Sequence, residues 1–191
     1  RLDAARQLAL AIAELAIAQG DRIGLLVVGN DRVDGVDAGS GPRQRDRQLL
    51  VLDGVRATGA WPGSERLAPV WERIGAEDIV VLLGDLFDPA SVDLATRLAA
   101  ARREVLAIQL LTVGERDFNY RGGRRFEDPE TGEVLPGDGA ALRTGFFERF
   151  GVAQAALAAR LDAAGIRHVR HVLDEPLDAP LRTLFAPQGR A

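Results

Sequence analysis

Short apolar segments alternate with amphipathic ones along most of the chain. Three apolar runs have the length of buried strands and are bordered by glycine or charged residues, at 22–29, 79–83 and 104–113. Such runs are typical of parallel strands that are covered on both faces. A fourth run, at 166–173, contains both histidines of the chain and predicts the last strand.

Helical periodicity separates these strands. Residues 2–18 are rich in alanine and leucine, and Gly20 is a good helix terminator. Within the segment RQRDRQLLVLDGVRAT, Leu49, Leu50 and Leu52 suit the inner side of a surface helix. Further helices are predicted at 66–74, 91–102, 140–164 and 178–185.

Two segments depart from this alternation. Residues 33–39 alternate polar and apolar side chains, as a short edge strand does. Residues 124–138 predict a β-hairpin whose turn spans 128–132. Because strands otherwise alternate with helices, the sequence indicates a three-layer, doubly wound α/β fold with a mostly parallel sheet. Without repeats or a low-complexity linker, residues 1–191 are predicted to form a single domain.

Composition narrows the classes of function. The net charge of −4 gives no basic excess for a nucleic-acid partner. No apolar run approaches the roughly 20 residues of a membrane-spanning helix, so we expect a cytoplasmic segment without membrane contact. The chain has no cysteine, which excludes thiolate metal ligands and cysteine nucleophiles. All 24 basic residues are arginine, so the lysine of phosphate-binding loops is absent too.

The segment VVLLGDLFDPA, at 80–90, ends a buried run on the carboxylate of Asp85. Ligands of open α/β sheets bind beyond the carboxyl ends of the strands, where Asp85 is predicted to lie. Two interpretations remain open from the residues alone: Asp85 accepts hydrogen bonds from loop amides, or it is a ligand of a hard cation. Asp88 with Pro89 is the signature of a helix N-cap and first turn.

Other candidate residues carry weaker signals. Trp61, beside Pro62, has the features of an exposed anchor for a partner. His168 and His171 are three residues apart, so on a strand they point to opposite faces and do not share a metal. Arg121, Arg124 and Arg125 form a basic segment, for which a solvated loop is the simpler interpretation.

Five phrases, in a fixed order from 2 to 185, resemble a bacterial family of von Willebrand factor A-like proteins. The family is catalogued as the domain of unknown function fifty-eight, and its genes often accompany a MoxR-type AAA+ ATPase. The phrases are LDAARQLALAIAELAIAQGDRIGLLVVG, VVLLGDLFDP, EVLAIQLLTVGERDF, FEDPETGEV and DEPLDAPLRTLF.

The resemblance implies a von Willebrand factor A fold with a metal-ion-dependent adhesion site. Asp85 matches the aspartate of the third loop of that site. In the second loop, Ser64 stands where the family has threonine, and Glu65 replaces the neighbouring acid. The first loop, Asp-x-Ser-x-Ser, belongs to a strand that precedes Leu2, so the domain is expected to be incomplete at its amino end. That strand would lie between the runs at 22–29 and 79–83.

By resemblance, the chain is expected to be a metal-dependent protein-binding module and not an enzyme. Ser64 and Asp85 are this chain's share of the predicted ligands for Mg²⁺ or another divalent cation, and an acidic side chain of a partner completes the coordination. Without the first loop, the ion would keep most of its waters and bind weakly. Trp61, Glu65 and Asp88 are predicted to border the partner, which is a MoxR-type AAA+ ATPase or its client in an assembly or maturation step. The alternatives are a phosphoryl-transfer enzyme with Asp85 as nucleophile, and a scaffold whose metal site is degenerate.

Overall fold

The computed structural model describes residues 1–29, 32–57, 61–117, 125–127, 134–136 and 139–185, with the backbone alone at 125–127, 134–136 and 139–143. The helices are α1 Leu2–Gln19, α2 Pro42–Gly54, α3 Ala68–Arg73, α4 Pro89–Ala100, α5 Val113–Asp117, α6 Gly139–Ala163 and α7 Ala179–Phe185. The strands are β1 Ile23–Gly29, β2 Arg32–Gly39, β3 Ile79–Gly84, β4 Glu104–Leu111, β5 Arg125–Glu127, β6 Val134–Pro136 and β7 Arg167–Val172. A 3₁₀ helix, Ser64–Leu67, precedes α3.

A three-stranded parallel sheet forms the centre of the fold, in the order β3-β4-β7. Ile79 is paired with Glu104 at one end of β3, and Gly84 with Gln109 at the other. The central strand β4 is buried along almost its whole length, as its continuous apolar run predicts. We call the side where these three strands end the carboxyl edge of the sheet.

Helices cover both faces of this sheet. On one face, side chains of α3, α4 and α6 join alternate residues of β3 and β4 in a core around Leu98, Val105 and Leu161. On the other face, α1 and α7 pack around Leu8, Leu106 and Leu184. The chain therefore has a mixed α/β architecture with a parallel sheet between helices, and the predicted layering is confirmed at this level.

Two antiparallel hairpins lie outside the parallel sheet. β1 pairs with β2, and β5 pairs with β6. The predicted hairpin at 124–138 is thus confirmed in its strands, while its turn at 128–132 lies outside the described residues. The interpretation of 22–29 as a buried strand is wrong in its burial, because β1 is only half-buried and pairs, among the described residues, with β2 alone.

The inner side of α2 differs from the prediction. Leu50 is 76% exposed and Leu49 is exposed as well, whereas Gln44 and Gln48 are buried beside Leu52. The reason is hydrogen bonding: the Gln44 side-chain amide donates to the carbonyls of Ile23 and Asp37 at 2.8 and 2.6 Å. Two glutamines that satisfy strand carbonyls therefore take the place that the apolar pattern assigned to leucines.

The predicted strand at 104–113 also ends earlier than expected. β4 stops at Leu111, and Val113 already begins the short helix α5. A capping interaction explains the change, because the Glu115 carboxylate accepts hydrogen bonds from the backbone N–H and the hydroxyl of Thr112.

The N-cap predicted at Asp88 is confirmed. Its Oδ1 accepts a hydrogen bond from the N–H of Ala90 at 2.8 Å, and Pro89 occupies the first turn of α4. We expect Asp88→Ala to lower the free energy of unfolding by about 1 kcal/mol, because one N–H of the first turn loses its partner. Asp88→Asn keeps an acceptor and is the matched control. Urea denaturation measures both variants, and equal losses for alanine and asparagine would contradict the cap.

Candidate cation-binding site at the carboxyl edge

Asp85 lies directly after β3, at the carboxyl edge, where the sequence placed it. Its backbone carbonyl accepts a hydrogen bond of 2.9 Å from the side-chain amide of Gln109, a buried residue of β4. Its Oδ1 accepts a longer one, of 3.2 Å, from the N–H of Phe87. Both the main chain and one carboxylate oxygen of Asp85 are therefore fixed by neighbouring residues.

The residue after Asp85 has a strained backbone. Leu86 has a φ of 59°, in the left-handed region that costs a residue with a Cβ roughly 1–2 kcal/mol. Its side chain is buried in the core beneath α4. This turn directs Leu86 inward and leaves Phe87 45% exposed on the surface. Burial of the leucine side chain offsets the strain.

A second carboxylate comes from the loop after β4. Glu115 lies in the first turn of α5, and its Oε2 accepts hydrogen bonds from the N–H and the hydroxyl of Thr112 at 2.7 and 2.8 Å. The other oxygen, Oε1, points away from this cap and contacts the Arg1 guanidinium. Two adjacent loops of the sheet thus each supply one carboxylate.

Asp85 and Glu115 converge on a single cation, the guanidinium of Arg1. Nη1 of Arg1 lies 2.8 Å from Oδ2 of Asp85, and Nη2 contacts Oε1 of Glu115. The Asp85 and Glu115 side chains are 35% and 19% exposed, so solvent screens this bridge only in part. Arg1 also lies over the Phe87 ring, with its guanidinium carbon 5.5 Å from the ring centroid.

A further ion pair joins the loops after β4 and β7. Arg116 binds Asp174 at 2.8 Å and its neighbour Asp117 at 2.6 Å. Hydrogen bonds to Asp117 and then to Asp174 raise the pKa of Arg116 above its ordinary value. The loops that follow all three parallel strands are therefore linked to one another by arginine–carboxylate contacts.

Ser64 and Glu65, the predicted second-loop residues, are exposed at the start of the 3₁₀ helix. That helix packs against β2 and α3. No hydrogen bond joins Ser64 to Asp85 in the described part of the chain. The Glu65 carboxylate folds back over Gly63, where a Cβ atom would collide with it. The structure therefore does not unite Ser64 with Asp85 by direct contact, and the role of Ser64 as a ligand stays a prediction.

Trp61 differs from the exposed anchor that the sequence suggested. It is half-buried and packs against the core beneath α4. Its indole Nε1 is buried and has no hydrogen-bond partner among the described residues. Packing against that core explains the difference, since the ring contributes apolar area there. Asp88, by contrast, is exposed, but its carboxylate caps α4.

The residues at the centre of the cluster were mostly missed from the sequence. Glu115 follows the end of the next parallel strand, so the rule that located Asp85 would have found it as well. Gln109 is a polar residue within an apolar strand, which is a signal that something nearby requires a hydrogen bond. The sequence gives no comparable signal for Arg1, whose contacts depend on the tertiary arrangement.

The opposite edge of the sheet also has charged residues around a cavity, lined by Arg103, Glu104 and Arg167. Arg167 pairs with Glu104 at 2.8 Å, and Arg103 donates to the carbonyls of Ala101 and Ile74. These charges are engaged internally. The histidines do not form a site either, since His171 is buried while His168 lies near Asp162, at 3.6 Å.

Two general observations limit the chemistry of the described residues. No group of three or more acidic, histidine or cysteine side chains among them is arranged to hold a metal ion. None of the described helices has the length and apolarity needed to cross a membrane. At the carboxyl edge, two carboxylates contact the guanidinium of Arg1.

Comparison with known proteins addresses the fold and the family. The conserved hypothetical protein BatB from Bacteroides thetaiotaomicron has a similar structure, with a TM-score of 0.50 and 12% sequence identity over 90% of this chain and 80% of that chain. An aerotolerance-related membrane protein from Bacteroides fragilis aligns with a TM-score of 0.48 and 13% identity, over 85% and 89% of the two chains. At such identities the BatB likeness concerns the fold alone.

No curated protein matches the chain. The family model described as "Protein of unknown function DUF58" matches residues 1–156, which is most of the sequence. The resemblance inferred from the five phrases is thereby confirmed at the level of the family. The chain belongs to the DUF58 family.

Proposed function

We propose that the chain is a protein-binding module whose interaction site is the carboxyl edge of the sheet, and that a divalent cation such as Mg²⁺ binds there. The observation that supports the proposal is the convergence of Asp85 and Glu115 on one cation. Carboxylate oxygens are the ligands that Mg²⁺, Ca²⁺ and Mn²⁺ prefer. The guanidinium of Arg1 marks the position at which positive charge is stabilised.

The residues present fit a divalent cation only in part. Asp85 and Glu115 would hold it, each with the oxygen that now contacts Arg1. With two protein ligands, most of the coordination sphere would be water, and affinity would be low unless Ser64 or residues outside this chain contribute. A bound dication would supply a positive centre to which the carboxylate of a partner can attach.

Charge explains why the partner and the cation belong together in this proposal. Two carboxylates and one guanidinium leave one net negative charge, so an acidic partner residue is repelled from the edge as it stands. A dication in place of Arg1 changes two negative charges to a net charge of zero and leaves positions open for a partner's oxygen. The proposed partner, by family resemblance, is a MoxR-type AAA+ ATPase or its client, in the cytoplasm, with Trp61, Glu65 and Asp88 at the border of the contact.

A second candidate is a structural scaffold without metal binding. The specific observation in its favour is Arg1 itself, which already links the loops after β3 and β4. In that case Asp85 and Glu115 serve only to hold the amino end of α1 against the sheet. No observation among the described residues favours the phosphoryl-transfer alternative over these two candidates.

The finer fold assignment is also part of the proposal. In a von Willebrand factor A fold, a further parallel strand would lie between β1 and β3. Alternate residues of these two strands, such as Leu26 and Val80, pack against the same core, and α1 contacts both strands. Among the described residues, β3 pairs with β4 alone. An extra strand would therefore give β1 and β3 a common partner.

Hydrogen exchange tests the position of that strand. In this chain we expect the β3 amides that point away from β4 to exchange faster than those that donate to β4, because no described strand protects them. In a longer chain that includes the proposed additional strand, both sets should be protected. Equal protection of the two sets in the 191-residue chain would contradict an open edge.

Titration with Mg²⁺ and Mn²⁺ tests the cation site. We expect the Arg1→Gln protein to bind these ions about tenfold more tightly than the unchanged protein, because the competing guanidinium is gone. A tenfold difference corresponds to about 1.4 kcal/mol of competition. Adding Asp85→Asn or Glu115→Gln to Arg1→Gln should abolish the gain. Asp21→Asn is the matched control, because it also removes one carboxylate but lies beyond the far end of α1, away from this edge. Absence of binding by all variants, at unchanged stability, would favour the scaffold.

A further inference from the structure

The surroundings of the Arg1 guanidinium have three sides that match a guanidinium group. Asp85 and Glu115 accept hydrogen bonds from its two terminal nitrogens, and the Phe87 ring lies against its face at 5.5 Å. Two carboxylates along the edge and one aromatic ring on the face satisfy the planar charge, the forked donors and the stacking surface of arginine. Lysine has the charge and hydrogen-bond donors but not the planar fork that reaches both carboxylates together.

The two carboxylates are held in place by groups other than Arg1. The Gln109 amide fixes the carbonyl of Asp85 at 2.9 Å, and the Phe87 N–H fixes its Oδ1. Thr112 fixes the second oxygen of Glu115 with two hydrogen bonds. A pocket whose walls are held independently of its occupant keeps its shape when the occupant leaves.

The Phe87 ring continues into a row of aromatic rings on α6. Phe87 meets Phe150 edge to face, with the ring centroids 6.3 Å apart. Phe150 stacks on Phe146 at 5.3 Å, with an angle of 12° between the ring planes. This aromatic row, Phe87–Phe150–Phe146, is partly exposed and begins at the guanidinium. An apolar side chain next to a bound arginine would lie along it.

The charges around the Arg1 guanidinium determine that a bound group must be positively charged. Without Arg1, the Asp85 and Glu115 carboxylates leave two negative charges beside an aromatic face, and burial of Glu115 to 19% exposure reduces screening. A carboxylate or phosphate ligand is repelled there, whereas a guanidinium is attracted by both acids and by the ring.

We propose that the pocket formed by Asp85, Glu115 and Phe87 recognises an arginine of a partner protein, followed by an apolar residue, and that Arg1 occupies the pocket in the free chain. Arg1 is then an intramolecular competitor. The apparent affinity for a partner arginine equals the intrinsic affinity multiplied by the fraction of molecules in which Arg1 has left the pocket. The proposal uses the edge assigned above to protein binding, but it requires no metal ion.

Peptide binding tests the proposal directly. The probe is acetyl-Gly-Arg-Phe-Gly-amide, with counterparts in which citrulline or lysine replaces arginine, followed by calorimetry and by amide chemical shifts. We expect Arg1→Gln to bind the arginine peptide about tenfold more tightly than the unchanged protein, a ratio that corresponds to a competitor present in about nine molecules of ten. The citrulline peptide should not bind, and lysine should bind more weakly than arginine.

Variants of the pocket provide the controls. In the Arg1→Gln protein, Asp85→Asn should lower the affinity for the arginine peptide at least about tenfold, as expected for loss of one charged hydrogen bond. Phe87→Leu keeps both carboxylates and should lower the preference for arginine over lysine, which a purely structural role would not change. Asp21→Asn should have no effect. Each variant's thermal unfolding is compared with that of its parent.

Two results would overturn the proposal. One is equal affinity of the citrulline and arginine peptides, and the other is an Arg1→Gln protein that binds the arginine peptide no better than the unchanged protein. Parallel titrations in EDTA and in Mg²⁺ separate this proposal from the metal-dependent one. Peptide binding in EDTA with no response to Mg²⁺ supports the arginine pocket and contradicts the metal site. Mg²⁺ binding without peptide binding supports the metal site and contradicts the arginine pocket.

Discussion

Two carboxylates, those of Asp85 and Glu115, lie at the ends of neighbouring parallel strands and contact one cation, the guanidinium of Arg1. Asp85 and Glu115 are brought together because β3 and β4 are adjacent, and their loops leave the sheet at the same edge. In the structure Arg1 balances them, and in doing so it fixes the first turn of α1 against the sheet. The bridge adds to contacts that already hold these parts: Leu8 packs α1 into the core, while Gln109 and Thr112 bind the two loops.

The proposal that another cation can replace Arg1 rests on the hydrogen bonds around the bridge. Gln109 and Thr112 orient the two acids from the sheet side, while Leu86 uses a strained backbone to bury its own side chain and leave Phe87 exposed. The hydrogen bonds with Gln109 and Thr112 thus fix the residues that carry the carboxylates and do not involve Arg1. The two proposals place a divalent metal ion or a partner's arginine at the two carboxylate oxygens that contact Arg1 in the structure.

Much of this arrangement follows from the sequence. Apolar runs predict both β3 and β4, although only β4 is buried along its length and β3 is half-buried, and the same reasoning places Asp85 at the carboxyl edge. The N-cap at Asp88 is also predictable, since aspartate before proline satisfies the first turn locally. These features depend on neighbours in sequence, so a local pattern contains them.

The remaining features depend on contacts between distant segments. Gln44 and Gln48 replace leucines on the inner side of α2 because strand carbonyls from β1 and β2 need donors there, and no periodicity of α2 encodes that need. The pairing of Arg1 with Asp85 spans 84 residues. Trp61 is drawn into the core by packing that its exposed-looking loop sequence does not reveal.

The most direct measurement of the central idea, that Asp85 and Glu115 form a cation site, is paramagnetic broadening by Mn²⁺ in the Arg1→Gln protein. Substoichiometric Mn²⁺ should broaden the amide signals of Phe87 and Glu115 first, because both lie within the two loops that hold the ion. Signals at the opposite edge, such as that of Asp21, should stay sharp at the same ratio. Broadening that begins elsewhere, or none in these loops, would contradict the account.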